Sequence, residues 1–373
     1  MSENNKSKII SQPVTVPASG RNKNVTILDT TLRDGSYAID FNFSLNDTKT
    51  IATELESAGV KQIEIGHGWG LNAESAGLGK AAHTDAEYIK AAREVLTDAK
   101  FGCFFIPSVA RAGDMIMARD LGMDFIRIGN NINQYADQEN YIKIAKNLGF
   151  HVSSNLLKSY VVSPDEFARC AKHVSEMGAD VAVLVDSAGG MTPNEVRKYM
   201  RAAKSKSNVP LGFHGHDNLG LANANTLAAI EEGAQIVDST LQGIGRSAGN
   251  AVTESLAMLL DGLGFDTGLD TFKLMDTGKR LIHPLLVSKG GCEPIDFILG
   301  VARFHSSFVP MVREVAEKYK LDYLRLIVNV AEINRANPDK DLVESVARKM
   351  LLGSSESLLE KAGDVLHIRE QFA

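Results

Sequence analysis

The sequence predicts an α/β fold: a (β/α)8 (TIM) barrel followed by a C-terminal helical appendage. Three observations predict it. Short β-type runs alternate with helical patterns between residues 25 and 265, the signature of a parallel sheet with helical crossovers. Most of the β-type runs are continuously apolar, as expected when both faces of a strand are covered. After residue 262 the rhythm stops, and residues 271–350 carry helical patterns alone, in TFKLMDTGKRLI, SFVPMVREVAEKY and LVESVARKML. A doubly wound open sheet is the structural alternative.

The expected strands are Val25–Thr31, Gln62–Gly66, Phe101–Ile106, Phe125–Ile128, His151–Leu156, Val181–Val185, Leu211–Phe213 and Gln235–Ser239. Between them lie helix signals. Ser44-Leu45-Asn46-Asp47 reads as a capping box, opening a segment with Leu45, Ile51 and Leu55 on one face and closing at Gly59. Met115–Leu121, Glu139–Leu148, Pro164–Met177, Pro193–Ala203 and Ala222–Glu232 behave similarly, with Gly122, Gly149, Gly178 and Gly233 as stops. Eight such units match the size of a barrel of about 250 residues. The expected organisation is a flexible lead over residues 1–24, a barrel over 25–265, and a helical domain with tail over 266–373.

Composition narrows the partners. The chain has 373 residues, is 44% apolar and carries a formal charge of −6. That balance gives no electrostatic case for nucleic acid or an anionic membrane. No apolar run reaches the roughly 18 residues of a membrane span, and the polar first 24 residues do not read as a signal peptide. Cys103, Cys170 and Cys292 are widely spaced. They argue against a disulfide framework and suit a reducing cytoplasm.

In this fold chemistry sits where strands end and the following loops begin. The polar residues collect there: Arg33 and Asp34 after strand one, His67 after strand two, Asn130 and Asn131 after strand four, Lys158 and Ser159 after strand five. Asp186 and Ser187 follow strand six, His214 to Asn218 end strand seven, and Gln242, Arg246 and Asn250 follow strand eight. His214-Gly215-His216 is the sharpest signal. Residues i and i+2 of an extended segment share a face, so two imidazoles converge. With the Asp34 carboxylate they would form a facial set of metal ligands with open positions. The bland reading is a pair of hydrogen-bonded core histidines. Arg33 could face a substrate carboxylate or a developing enolate oxygen. The glycine-rich run Gly243–Asn250 is only a weak phosphate signal.

LDTTLRDGSYAIDFNFS, HGHDNLGLANANTLAAIEEGAQIVDSTLQGIG and the closing GN resemble the DRE-TIM metallolyase superfamily. IEIGHGWGL, GLGKAAHTDAEYIKAA, VDSAGGMTP and FHSSFVPMVREVAEKY bring the chain nearest to its 4-hydroxy-2-oxovalerate aldolase family. The resemblance spans residues 26–325. It implies a divalent cofactor, Mn2+ or else Mg2+ or Co2+, on Asp34, His214 and His216, with Asn250 at the metal. It implies Arg33 as stabiliser of a pyruvate enolate and Ser159 near the substrate carboxylate; Lys158, His67 and Arg127 join it as substrate-binding candidates. The implied reaction cleaves or forms a 4-hydroxy-2-oxo acid, giving pyruvate and an aldehyde. The implied partners are an aldehyde dehydrogenase and further copies of the chain. An acyl-CoA carboligase of the isopropylmalate or homocitrate synthase type is the alternative, suggested by HDN and Arg246; a non-catalytic scaffold is a third.

The chain departs from those aldolases in three places. They carry a histidine base where this chain has Tyr37, and a tyrosine where it has His305. The expectation is that His305 is the general base, with Tyr37 orienting it or the substrate. Lys158 replaces an apolar residue; it could meet a substrate acid or an acyl-CoA phosphate, form a Schiff base or make a simple salt bridge.

Overall fold

A computed structural model describes residues 25–287 and 293–352. The expectations for residues 1–24, for Cys292 and for the tail at 353–373 fall outside the described residues.

Eight parallel strands close into a barrel in sequence order: β1 (Thr26–Asp29), β2 (Gln62–Glu64), β3 (Lys100–Phe105), β4 (Phe125–Asn131), β5 (His151–Leu157), β6 (Val181–Asp186), β7 (Leu211–Gly215) and β8 (Ile236–Ser239). The closure pairs β1 with β8, Leu28 opposite Asp238. The helices are α1 (Leu45–Ser57), α2 (Asp85–Val95), α3 (Ala112–Asp120), α4 (Glu139–Asn147), α5 (Pro164–Glu176), α6 (Pro193–Lys206), α7 (Ala222–Glu231) and α8 (Thr253–Gly262). The Ser44 capping box forms as expected, its hydroxyl accepting from Asp47 N and the Asp47 carboxylate from Ser44 N. Gly178 (φ 109°) and Gly233 (φ 96°) take the left-handed conformation just past their helices.

Two boundary differences have a direct cause. The first strand stops at Asp29 because the Thr30 carbonyl accepts from the N–H groups of Arg33, Asp34 and Gly35. That turn converts the strand end into the metal-site loop. The seventh strand runs on to Gly215, so His214 belongs to the sheet itself. Helices α2 and α8 lacked a sequence signal: α2 buries Tyr88, Ile89, Ala91 and Ala92, a stripe half made of alanine.

The appendage comprises α9 (Thr271–Thr277), a π-turn at Gly278–Ile282, α10 (His283–Val287), α11 (Pro294–Ala302), α12 (Val309–Tyr319), α13 (Tyr323–Ile333) and a last helix over 340–352. α11, α12 and α13 bury their own apolar cluster, including Leu299, Phe304, Val312, Ile327 and Val330. It is tied to the barrel by Asn218 Nδ2 donating to Asp296 O (3.1 Å), by Lys158 Nζ donating to Ala336 O (2.8 Å) and by the Arg303–Glu195 ion pair. Gly190 lets the backbones meet: a Cβ there would lie 2.2 Å from Gly300 O. Among the described residues no single helix is long and apolar enough to cross a membrane.

Gly129, in β4, makes room for Phe104, whose ring lies 4.9 Å from the Arg33 guanidinium. A Cβ at Gly129 would sit 2.2 Å from that ring. The Gly129→Ala variant is expected to lose about 1–3 kcal/mol in urea unfolding, the usual cost of overpacking a core; an unchanged midpoint would show that Phe104 can yield.

Candidate metal centre and active site

Asp34, His214 and His216 each offer a ligand atom within 4.8 Å of the others, and all three side chains are buried. Two strands place them. The turn after β1 presents Asp34, and β7 presents both imidazoles, whose rings stand 5.0 Å apart at 84°. A Cβ at Gly215 would lie 2.8 Å from the Phe213 ring, so the residue between the histidines has to be small.

The ring orientations follow from hydrogen bonds. His214 Nδ1 donates to Asp238 Oδ2 at 2.8 Å. His216 Nδ1 donates to Gly249 O at 3.2 Å. Both bonds leave Nε2 with its lone pair, the arrangement that orients histidine metal ligands. His214 Nε2 stands 4.0 Å from Asp34 Oδ2. Burial pulls His216 down to about 4, so it is neutral and free to ligate at neutral pH. Burial pushes the Asp34 carboxyl up, but the Arg33 charge and then the two imidazoles outweigh this and hold it well below the usual carboxylate range.

Behind the ligands runs a buried chain of alternating charges. Arg33 pairs with Asp34 and donates through Nε to Glu64 Oε2 at 2.7 Å. The same oxygen accepts from Arg127 Nη1 at 2.9 Å. Arg127 then pairs with Asp238, which holds His214. Five elements of the barrel mouth are thereby locked together.

The donor set fits a divalent ion: one carboxylate and two imidazoles. Beside it Asn250 Nδ2 donates to Asp34 Oδ1 (3.0 Å) and to Ile244 O (3.3 Å), while Asn250 Oδ1 is buried without a partner. An orphan acceptor at this place suits a cation or its water. Asn250 was expected at the metal; its amide nitrogen grips the ligand Asp34. A Cβ at Gly245 would fall 2.1 Å from that nitrogen and 3.0 Å from Asp34 Oδ1.

The cluster opens into a cavity of about 340 Å3, within the usual range for small-molecule sites. Arg33, Asp34, Tyr37, Lys158, His214, His216, Arg246 and His305 all line it. Four residues singled out by the sequence have other partners in the structure. Arg127 (2% exposed) is spent on Glu64 and Asp238 and is not among the lining residues. His67 lies beneath the next loop, stacked on Phe41 (3.8 Å), with Nδ1 accepting from Trp69 N and Nε2 near Gly79 O. Ser159 is fully buried, donating to Leu156 O and accepting from Val185 N; the serines that line the cavity are Ser108, Ser187 and Ser307. Tyr37 does not orient His305: its hydroxyl accepts from Arg246 Nη1 (3.4 Å), whereas Ser307 holds His305 Nδ1 through N–H (3.2 Å) and Oγ (2.7 Å). Ser187 stood among the strand-end residues without an assigned role, and Ser307 had no sequence signal of its own; both are common residues made special by what they face.

Of the residues behind the carboligase alternative, Arg246 lines the cavity, whereas the two that follow His216 are engaged elsewhere. Asp217 accepts from Ala222 N at the start of α7, and Asn218 reaches the appendage.

Residues 24–281 match the family described as HMGL-like, and the chain belongs to that family. More narrowly, the 4-hydroxy-2-oxovalerate aldolase of Carboxydothermus hydrogenoformans is 37% identical over 328 residues, which cover 88% of this chain and 98% of the relative. The protein of the same name from Pelotomaculum thermopropionicum is 36% identical over 334 residues, 90% of this chain and 98% of the relative. The carboxyl transferase domain of Rhizobium etli pyruvate carboxylase is similar in structure, with a TM-score of 0.73 at 17% identity over 91% of this chain and 66% of that one. At that identity it shows a shared fold alone.

Two predictions follow the buried charges. Asp238→Asn should weaken Mn2+ binding by about 10–100-fold, the usual effect of losing a ligand's orienting partner; calorimetric titration that finds wild-type affinity would remove Asp238 from this role. Asp29 sits under the metal-site turn with its carboxylate bonded to Thr31 N and Oγ1. Burial pushes it from 3.8 up to about 7, so the folded state holds a proton that the unfolded chain releases earlier. The stability this confers is complete below 3.8 and is lost as pH rises through about 7. Across that window the wild-type minus Asp29→Asn difference in unfolding free energy should fall by on the order of a few kcal/mol. A flat difference would contradict the burial effect.

Proposed function

We propose that the chain is a divalent-metal-dependent aldolase that cleaves or forms a 4-hydroxy-2-oxo acid, with pyruvate and an aldehyde on the other side. The observation that carries the reading is the convergence of Asp34, His214 and His216 beside Arg33 in one cavity. The relatives' names support it and do not favour the acyl-CoA carboligase alternative.

Asp34, His214 and His216 would hold the ion, Mn2+ by preference for one carboxylate and two imidazoles, with Mg2+ or Co2+ as substitutes. When bound, such an ion supplies Lewis-acid polarisation of the 2-keto group. Arg33 meets the negative charge that develops on the enolate oxygen, using Nη2, which has no partner among the described residues. Ser187 takes the place expected of Ser159 beside the substrate carboxylate. Its Oγ accepts from Lys158 N, which leaves the hydroxyl proton free to donate. Asn250, Asp238, Glu64 and Arg127 position these groups without touching substrate.

His305 is the base. Burial, then the charges of Arg246 and Lys158, hold its pKa well below the ordinary value, so the ring is neutral at pH 7. Its Nδ1 accepts from Ser307 N, which puts the ring proton on Nε2. The proton path therefore runs through Ser307. In cleavage the 4-hydroxyl gives its proton to Ser307 Oγ, and the Ser307 hydroxyl proton moves to His305 Nδ1. The C3–C4 bond breaks, its electron pair becoming the enolate of pyruvate, and the aldehyde departs. Tyr37, held high by burial, stays protonated and fixes Arg246. The buried, unpaired Cys103 and Cys170 are consistent with a cytoplasmic setting. A dehydrogenase that consumes the aldehyde and assembly of identical copies belong to the same reading.

The test is product analysis. Mn2+-loaded protein given a panel of 4-hydroxy-2-oxo acids should release pyruvate and one aldehyde equivalent. Acetyl-CoA with a 2-oxo acid should release no thiol. His305→Ala and Ser307→Ala should each lower kcat by about 10²–10⁴-fold, the range for general acid–base groups, and Tyr37→Phe by much less. Full activity in His305→Ala would sink the proton path; thiol release without aldehyde would sink the aldolase reading.

A further inference from the structure

The cavity holds three cations and one carboxylate. Arg33, Lys158 and Arg246 line it, and Asp34 is the single acidic residue that does. Arg33 is compensated by Asp34 and Glu64. Lys158 and Arg246 form no ion pair with an acidic side chain among the described residues, although the barrel surface has many such pairs. A metal ion at the Asp34 cluster would raise the positive excess further.

Lys158 is held there at a cost. Its side chain is buried (residue 6% exposed), and burial, reinforced by Arg246, pulls it down to about 8. Its backbone is left-handed, φ 54°, a conformation that side chains with a Cβ adopt rarely and that clusters at functional sites. Its ammonium donates to Ala336 O (2.8 Å) and lies 4.5 Å from the centre of the Phe308 ring. The other two N–H groups have no acceptor among the described residues. Arg246 is equally prepared. Its guanidinium packs into the corner formed by the rings of Tyr37 and Trp69, 4.7 Å from each, and donates to Ser306 Oγ (2.7 Å) and Tyr37 Oη (3.4 Å). Two of its five N–H groups are thus used. Aromatic packing fixes a guanidinium without neutralising it.

Both charges act on His305. Arg246 donates to Ser306, next to His305, and the Lys158 ammonium lies over Phe308 of the same turn, so both stand at the His305 side of the cavity, where the 4-hydroxyl of a substrate would be deprotonated. We infer that Lys158 and Arg246 form a second anion site, and that the aldehyde half of the substrate carries a carboxylate or phosphate group. The inference rests on the aldolase reading and adds to it the chemical class of the second substrate. A buried, strained lysine without a counter-charge makes no sense around a neutral aldehyde, for which an apolar side chain would be more stable. An anion supplies the missing acceptors and charge.

The experiment uses Mn2+-loaded full-length chain and aldol addition of pyruvate to matched aldehydes. Succinic semialdehyde is compared with butanal, and glyceraldehyde 3-phosphate with glyceraldehyde, so each arm reports one kind of anion. Proton exchange at pyruvate C3 in D2O is followed alongside. In wild type, one anionic member should exceed its neutral match in kcat/KM by about 10–100-fold, the worth of a charge-assisted hydrogen bond. Lys158→Leu should shrink that ratio by a similar factor, and Lys158→Arg should restore part of it. Trp69, the chain's single tryptophan, touches Arg246 and gives a readout without turnover: glutarate or inorganic phosphate should shift its emission in wild type and do so more weakly in Lys158→Leu. Exchange at C3 with neutral aldehydes matching or exceeding the anionic ones in wild type overturns the anion site and leaves the aldolase reading standing. Absence of both exchange and aldol product overturns the two together.

Discussion

The structure depends on the chain of buried charges that joins Arg33, Glu64, Arg127, Asp238 and His214 across the barrel mouth. Each of these groups would be costly to bury alone. Removing one partner from such a set commonly costs about 3–5 kcal/mol, because an unpaired charge is left behind. Within the set every charge has a neighbour of opposite sign. The strands that carry them are therefore held in one register by electrostatics as well as by the sheet. The chain ends at both halves of the metal cluster, on the Arg33–Asp34 pair and on the His214 ring. One network thus sets the rotamer of one candidate ligand, the orientation of another and the position of the Arg33 guanidinium.

Around that frame the groups divide by how they are satisfied. Asp238, Asn250 and Gly249 are spent on orienting ligands. Arg127 and His67 are spent on holding the barrel and its loops. The groups left with free valences face the cavity: the ligand nitrogens, Arg33 Nη2, the Ser187 hydroxyl, Lys158 and Arg246. Such a separation keeps the reacting end rigid while leaving charge and hydrogen bonds for a substrate. The appendage completes the site. It brings His305, Ser307 and Phe308 to the cavity that the barrel's Arg33, Asp34, His214 and His216 also line, so barrel and helices both supply side chains to one site.

The exchange of residue types at Tyr37 and His305 gains a physical account. A base needs a pKa near or below the working pH, and the position in the appendage provides one for an imidazole by burial and nearby cations. The position in the barrel loop does the reverse for a phenol, which burial keeps protonated. Tyr37 then serves as one of the two rings packed against Arg246. The two residues are linked through Arg246, which touches Tyr37 and biases His305, and not by a bond between them.

The sequence by itself determined the eight-stranded barrel, its helical appendage and the metal cluster. Strand and helix periods and an i, i+2 histidine pair are local properties, and local patterns survive into three dimensions because covered strands and capped helices leave little choice. Placement of Arg33, Asp34, Lys158, Arg246 and His305 at strand ends or in the appendage loop was legible for the same reason. Which of those polar residues face the cavity was decided by tertiary structure alone. Arg127 looked available until Glu64 and Asp238 claimed it, from 63 and 111 positions away. Ser159 and Ser187 differ in what stands opposite each, and Ser307 matters because it meets His305 at the barrel mouth. That neither Lys158 nor Arg246 forms an ion pair with a carboxylate among the described residues is a property of the assembled cavity, since acidic residues are plentiful along the chain and only the fold decides which of them pair.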